Sequence, residues 1–207
     1  MSTKYLSSVP VQLPEKQIYA RLGYNIHKTT LPDELKFKIA QAIQKAFILC
    51  EPKGAWARIS IVNKQEEFTE LENGTRFESA SLAQLLSKSH AVLLMASTVG
   101  NDIMQEISQF IEKEDGATAV IYDAVGSETA DAAVGWINEY VRQLLPRSCE
   151  TLTEHRYSPG YGDLGLENQK FIFEILELEK LELQLTERLM LVPEKSVIAI
   201  AGIEESC

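Results

Sequence analysis

The chain has 207 residues, enough to bury a sizeable core in one large domain or two small ones. At 45% hydrophobic and 24% charged residues it has the composition of an ordinary soluble globular protein. A formal net charge of -10 excludes the basic footprint that nucleic acid or an anionic membrane demands, leaving solubility or docking on a basic partner as its use.

The opening MSTKYLSSVPVQLPEKQ lacks the apolar core of a signal peptide, and no apolar run approaches the roughly 18 residues of a membrane span. Residues 1–16 are expected as a loosely ordered lead-in to a single domain covering 1–207. Cys50, Cys149 and Cys207 are odd in number and far apart. Neither a disulfide framework nor a paired metal site is expected from them, and the expected location is cytoplasmic.

PDELKFKIAQAIQKAFILCEPKG predicts a helix opened by Pro32 and Asp33 and closed by Pro52 to Gly54, with Ile39, Ala42, Ile43, Ala46 and Phe47 at helical spacing. WARISIV is β-branched and alternating, hence a strand. EFTELENGTRFES places two short alternating runs around Asn73-Gly74, a hairpin signal that outweighs the glycosylation sequon Asn73-Gly74-Thr75. SLAQLLSKS predicts a short helix, HAVLLMAST a buried strand, and NDIMQEISQFIEKED an amphipathic helix with Ile103, Ile107 and Ile111 four apart.

GATAVIYDAVGSETADAAVGWINEYVRQLL keeps helical periodicity for about eight turns. Gly126 and Gly135 inside it each cost about 1 kcal/mol and suggest close packing against another backbone. CETLTEHRYS is strand-like, LENQKFIFEILELEK helical, and LQLTERLMLVPEKSVIAIAGI predicts two strands separated by Pro193-Glu194-Lys195. The mixture predicts an α+β fold, a largely antiparallel twisted sheet with flanking helices.

GYGDLG, with Gly160, Gly162 and Gly165, matches the glycine fingerprint of dinucleotide-binding folds. Its context fails. The residues leading in, from Thr153 to Ser158, form a polar run that ends in Pro159, and proline cannot donate to a central ladder. A second pattern overlaps it: Arg156-x-x-Pro159-Gly160-Tyr161. Pro-Gly suits the middle of a type II turn. Such a turn lets an arginine clamp a carboxylate and a tyrosine face a cationic centre, which describes an amino acid or an amino-acid-bearing sulfonium. The same residues also fit an ordinary turn with a surface arginine and a packed tyrosine.

RYSPGYGD, FIFEILELEK and LTERLMLVPEKSVIAIAGI resemble, in order, the RxxPGY motif, following helix and closing strands of the activation domain of cobalamin-dependent methionine synthase. RLGY at 21–24, LLMASTVGND at 93–102 and IYDAVGSETADAA at 121–133 resemble its stand-alone relatives. The resemblance covers most of the chain from about residue 17.

That resemblance implies binding of S-adenosylmethionine and a role in reductive methylation of inactive cob(II)alamin. The chain would be a stand-alone reactivation factor, an accessory component of methyltransferase activity in methionine biosynthesis. Carried over, Arg156 would hold the ligand carboxylate and Tyr161 would pack near the sulfonium, with Pro159 and the Gly160 backbone in the same pocket. Asp131 would meet the ammonium, or stand as a solvated helix-face carboxylate. The D-x-H-x-x-G motif that supplies a lower cobalt ligand is absent, since His27, His90 and His155 do not lie in it. Cobalamin is therefore expected only through a partner, a methionine synthase lacking its own activation domain, with a flavodoxin-type protein as candidate electron donor. Activation of a different corrinoid methyltransferase, or a non-catalytic scaffold, are the alternatives.

Overall fold

A computed structural model describes residues 2–24 and 29–206. His27 and Cys207 lie outside the described residues. In chain order the strands and helices are β1 (Lys4–Leu6), α1 (Glu15–Arg21), α2 (Asp33–Ile48), β2 (Lys53–Lys64), β3 (Phe68–Leu71), β4 (Arg76–Glu78), α3 (Ala80–Leu85) and β5 (Ala91–Thr98). There follow α4 (Asp102–Glu112), α5 (Gly116–Leu144), β6 (Glu150–Leu152), α6 (Asn168–Leu176), β7 (Gln184–Leu185), β8 (Leu191–Val192) and β9 (Ser196–Glu205).

The main sheet runs β4-β3-β2-β5-β9-β6, with β1 added on β2 and every pairing antiparallel. Helices flank it, so the α+β architecture is as predicted. Why HAVLLMAST is apolar without alternation is now plain: β5 is covered on both faces. Val92, Leu94 and Ala96 join a cluster under α3 and α6, while Ala91, Leu93 and Met95 join one under α5. β9 divides its residues the same way, Ile198 and Ile200 to one face, Ala199, Ala201 and Ile203 to the other.

α5 is apolar around much of its circumference because its two halves bury different sides. Ala133, Val134, Ile137 and Val141 lie on the sheet, whereas Ala119, Tyr122, Val125 and Ala130 pack with α1, α2 and α4. At the junction a Cβ on Gly54 of β2 would collide with Ile137. Among the described residues no helix is long and apolar enough to cross a membrane.

Several expectations are corrected. The lead-in is partly structured: Lys4 to Leu6 pair with Trp56 to Gly54, Val9 is buried, and the Tyr5 hydroxyl donates to the Leu176 carbonyl at 3.0 Å. Its alternating residues find a free strand edge, which composition did not reveal. The closing segment holds a further hairpin, β7 with β8, because Leu189 takes a left-handed φ of 62° and Thr186 N–H donates to the Met190 carbonyl at 2.9 Å. Cys149 is disulfide-bonded and Cys50 a free thiol.

Candidate functional site

The chain leaves β6, touches β9 again at Tyr157, and then turns. Tyr157 and Ile200 exchange backbone hydrogen bonds of 2.8 and 2.7 Å. Tyr161 N–H donates to the Ser158 carbonyl at 3.2 Å, and Gly160 has φ +87°, the type II turn expected of Pro159-Gly160. A second turn follows at once, closed by Leu164 N–H to the Tyr161 carbonyl at 3.1 Å, with Gly162 at φ +54°. A Cβ on Gly162 would collide with the Tyr157 hydroxyl.

Asp163 fastens this double turn to the start of α3. Its carboxylate accepts from the Ser79 hydroxyl at 2.6 Å and from Ser81 N–H at 3.1 Å. The Ser79 bond first, then the Ser81 backbone donor, hold its pKa well below the usual carboxylate range. The glycines thus serve turn geometry. The Gly160 amide is committed to the Leu164 carbonyl at 2.8 Å, and α6 begins only at Asn168.

Beside the turn lies a cleft of about 880 Å³ between α5, the turn and the strands β8 and β9. Four of the five expected site residues line it: Asp131, Arg156, Pro159 and Tyr161. Gly160 shapes the turn from behind, where its Cα faces Leu166. Arg156 reaches over Gly135 of α5, with Nη1 3.7 Å from where a Cβ there would stand. Its Nη2 lies 3.4 Å from Asp131 Oδ1, and its Nη1 is buried without a hydrogen-bond partner. Tyr161 is 71% exposed at the rim, so it is not the packed tyrosine of an ordinary turn.

The other end of the cleft holds residues that sequence reasoning missed. Lys195 is 5% exposed, and its Nζ lies 2.5 Å from Asp123 Oδ1 and 3.2 Å from Glu194 Oε1. Its stem crosses α5 at Gly126, where a Cβ would stand 3.0 Å from Lys195 Cγ. Arg21 Nη1 pairs with Glu128 Oε1 at 3.0 Å on the same wall. The sequence signal for Lys195, which Arg156 shares in addition to its own motif, was the pair of helix glycines. They admit side chains, Lys195 at Gly126 and Arg156 at Gly135, and not the neighbouring backbone that was expected. Nine residues of helix set these seats about 13 Å apart.

The arrangement offers an unmatched guanidinium donor, a nearby carboxylate and an exposed aromatic ring at one end, and an anchored lysine at the other. Among the described residues, no group of three His, Cys, Asp or Glu is placed to hold a metal ion.

A comparison with curated protein sequences returns no match. Among solved structures the chain is similar to a crystal structure of the MetH reactivation domain bound to AdoHcy, with a TM-score of 0.70 and 14% sequence identity, over 98% of this chain and 78% of that one. The family described as vitamin B12 dependent methionine synthase, activation domain, matches residues 63–206. That span takes in α5, the double turn and β9, so the chain belongs to the activation-domain family of vitamin B12-dependent methionine synthases.

Proposed function

We propose that the chain binds S-adenosylmethionine in the cleft beside the Ser158–Tyr161 turn and serves as a separate reactivation factor for a cobalamin-dependent methionine synthase that lacks this domain. The observation that carries the reading is Arg156. A buried guanidinium nitrogen without a partner costs free energy unless an acceptor arrives, and a ligand carboxylate supplies one. The 3.4 Å contact to half-exposed Asp131 is long, so Asp131 is free to turn toward the ligand ammonium. The Tyr161 ring, exposed at the rim, offers its face to a sulfonium. A cleft of about 880 Å³ suits a ligand of this size. The AdoHcy carried by the similar solved domain supports the same class of ligand.

On this reading S-adenosylmethionine supplies an electrophilic methyl group, and the corrinoid that receives it belongs to the partner, as does contact with a flavodoxin-type electron donor. The residues of this chain bind and orient. Arg156 and Asp131 fix the amino-acid end, and the turn held by Asp163 sets where Tyr161 stands, so the chain contributes position more than chemistry. Its place of work is then the cytoplasm.

The test mixes the purified chain with cob(II)alamin-loaded methionine synthase, a reductant and S-adenosylmethionine. Methylcobalamin absorbance that returns only when this chain is present is the expected result. Equal recovery without it would contradict the reading.

A further inference from the structure

Between β6 and the turn the chain departs from the register of the sheet. Leu152 stands opposite Ile203, and Thr153 N–H donates to the Gly202 carbonyl at 2.9 Å. An unbroken antiparallel ladder would then set His155 against Ile200. Tyr157 takes that place instead. Two extra residues are therefore accommodated between Thr153 and Tyr157, and Arg156 belongs to that bulge. A bulge turns side chains in directions that a regular strand would not give them.

The bulge is fastened by an exchange of acceptors. In a regular hydrogen-bonded pair the Thr153 carbonyl would accept from Gly202 N–H. Here Thr153 Oγ1 takes that bond at 2.9 Å and donates in turn to the His155 carbonyl at 2.9 Å. The Thr153 carbonyl is thereby released, and Arg142 of α5 meets it with Nη2 at 3.0 Å. Arg142 Nη1 takes the Leu152 carbonyl at 2.9 Å, so one planar guanidinium spans two successive carbonyls at the entry to the bulge. Arg156 leaves the bulge to cross the same helix at Gly135, about two turns before Arg142. The segment is thus laced to α5 at two points, by Arg142 reaching out from the helix and by Arg156 reaching back over it.

We propose that Arg142 is a positioning residue for ligand recognition: its fork on Leu152 and Thr153 fixes the bulge against α5 and so sets where Arg156 presents its guanidinium to a carboxylate. This rests on S-adenosylmethionine occupying the cleft with its carboxylate on Arg156. Arg142 does not line the cleft and acts only through the backbone it holds. Its Nε lies 3.4 Å from Glu139 Oε2, one turn back on α5, which steadies the fork. Lysine is no substitute, because a single ammonium on a flexible stem lacks the planar pair of donors that bridges two carbonyls.

The test titrates the native chain, Arg142→Met and Arg142→Lys with S-adenosylmethionine and with decarboxylated S-adenosylmethionine, which lacks only the group that Arg156 would hold. The native chain is expected to prefer S-adenosylmethionine by at least about tenfold. In Arg142→Met that preference should shrink several-fold, through weaker binding of S-adenosylmethionine alone, and Arg142→Lys should fall between. A purely structural role would weaken both ligands alike, so a ratio unchanged in both variants would overturn the inference and leave the proposed function standing. If Arg142→Met does not fold, the ratio in Arg142→Lys decides by the same criterion. A native chain that binds neither ligand, or both equally, would remove the reading of Arg156 and the inference with it.

Discussion

Arg156 Nη2 and Asp131 Oδ1 stand 3.4 Å apart across the cleft, the first on the loop after β6 and the second on α5. Twenty-five residues separate them in sequence, and the pair is brought together because Arg156 crosses the helix at Gly135. At this distance, with Asp131 61% exposed, the pair contributes about 0–1 kcal/mol to stability. Asp131→Asn should therefore leave the melting temperature almost unchanged while weakening S-adenosylmethionine binding, and comparing calorimetric titration with thermal melts separates the two effects.

Asp163 acts on the cleft through the turn. Asp163→Ala removes the acceptor for the Ser79 hydroxyl and Ser81 N–H, and so frees the double turn from α3. The expectation is a several-fold loss of S-adenosylmethionine affinity with an unchanged far-ultraviolet circular dichroism spectrum. Undiminished affinity would show that the turn holds its shape without this clasp.

Lys195 is tested by Lys195→Met, which keeps a stem over Gly126 and deletes the ammonium that Asp123 and Glu194 share. Removing one partner of an ion pair buried on that side should cost about 1–2 kcal/mol, because Asp123 is itself half exposed. Urea denaturation reads this as a lower midpoint with an unchanged slope.

Glu150 should show itself in the pH dependence of stability. The carboxylate is 7% exposed, is held by Arg58 at 2.7 and 3.0 Å, and lies 2.8 Å from both His90 Nε2 and the Ser148 hydroxyl. Burial pushes its pKa up, but the hydrogen bonds from Ser148 and His90 and the Arg58 charge outweigh it and leave the pKa below the ordinary 4.5. A carboxylate lowered on folding contributes stability that is complete above its unfolded value and is lost as pH falls through its folded value. Glu150→Gln should therefore melt earlier at pH 7, by about 1 kcal/mol, and the gap should close as pH drops below about 4.5. A gap independent of pH would contradict the assignment.

What the sequence disclosed was local. The continuous apolar run of β5, the long periodicity of α5, the Asn73-Gly74 hairpin and the type II turn at Pro159-Gly160 each follow from residues within a few positions of one another. Arg156, Pro159 and Tyr161 were legible because they share that turn, and Asp131 because the resemblance pointed to it. Lys195, Arg21 and Glu128 were not, since only packing against α5 sets them around one cleft.

The central claim is that Arg156 presents an unmatched donor to a ligand of the S-adenosylmethionine class. Isothermal titration of the chain with S-adenosylmethionine, beside the same titration of Arg156→Ala and Tyr161→Phe, tests it most directly. The account predicts saturable binding by the native chain, a loss of at least about tenfold for Arg156→Ala, and a smaller loss for Tyr161→Phe. Binding left unchanged by Arg156→Ala would contradict it.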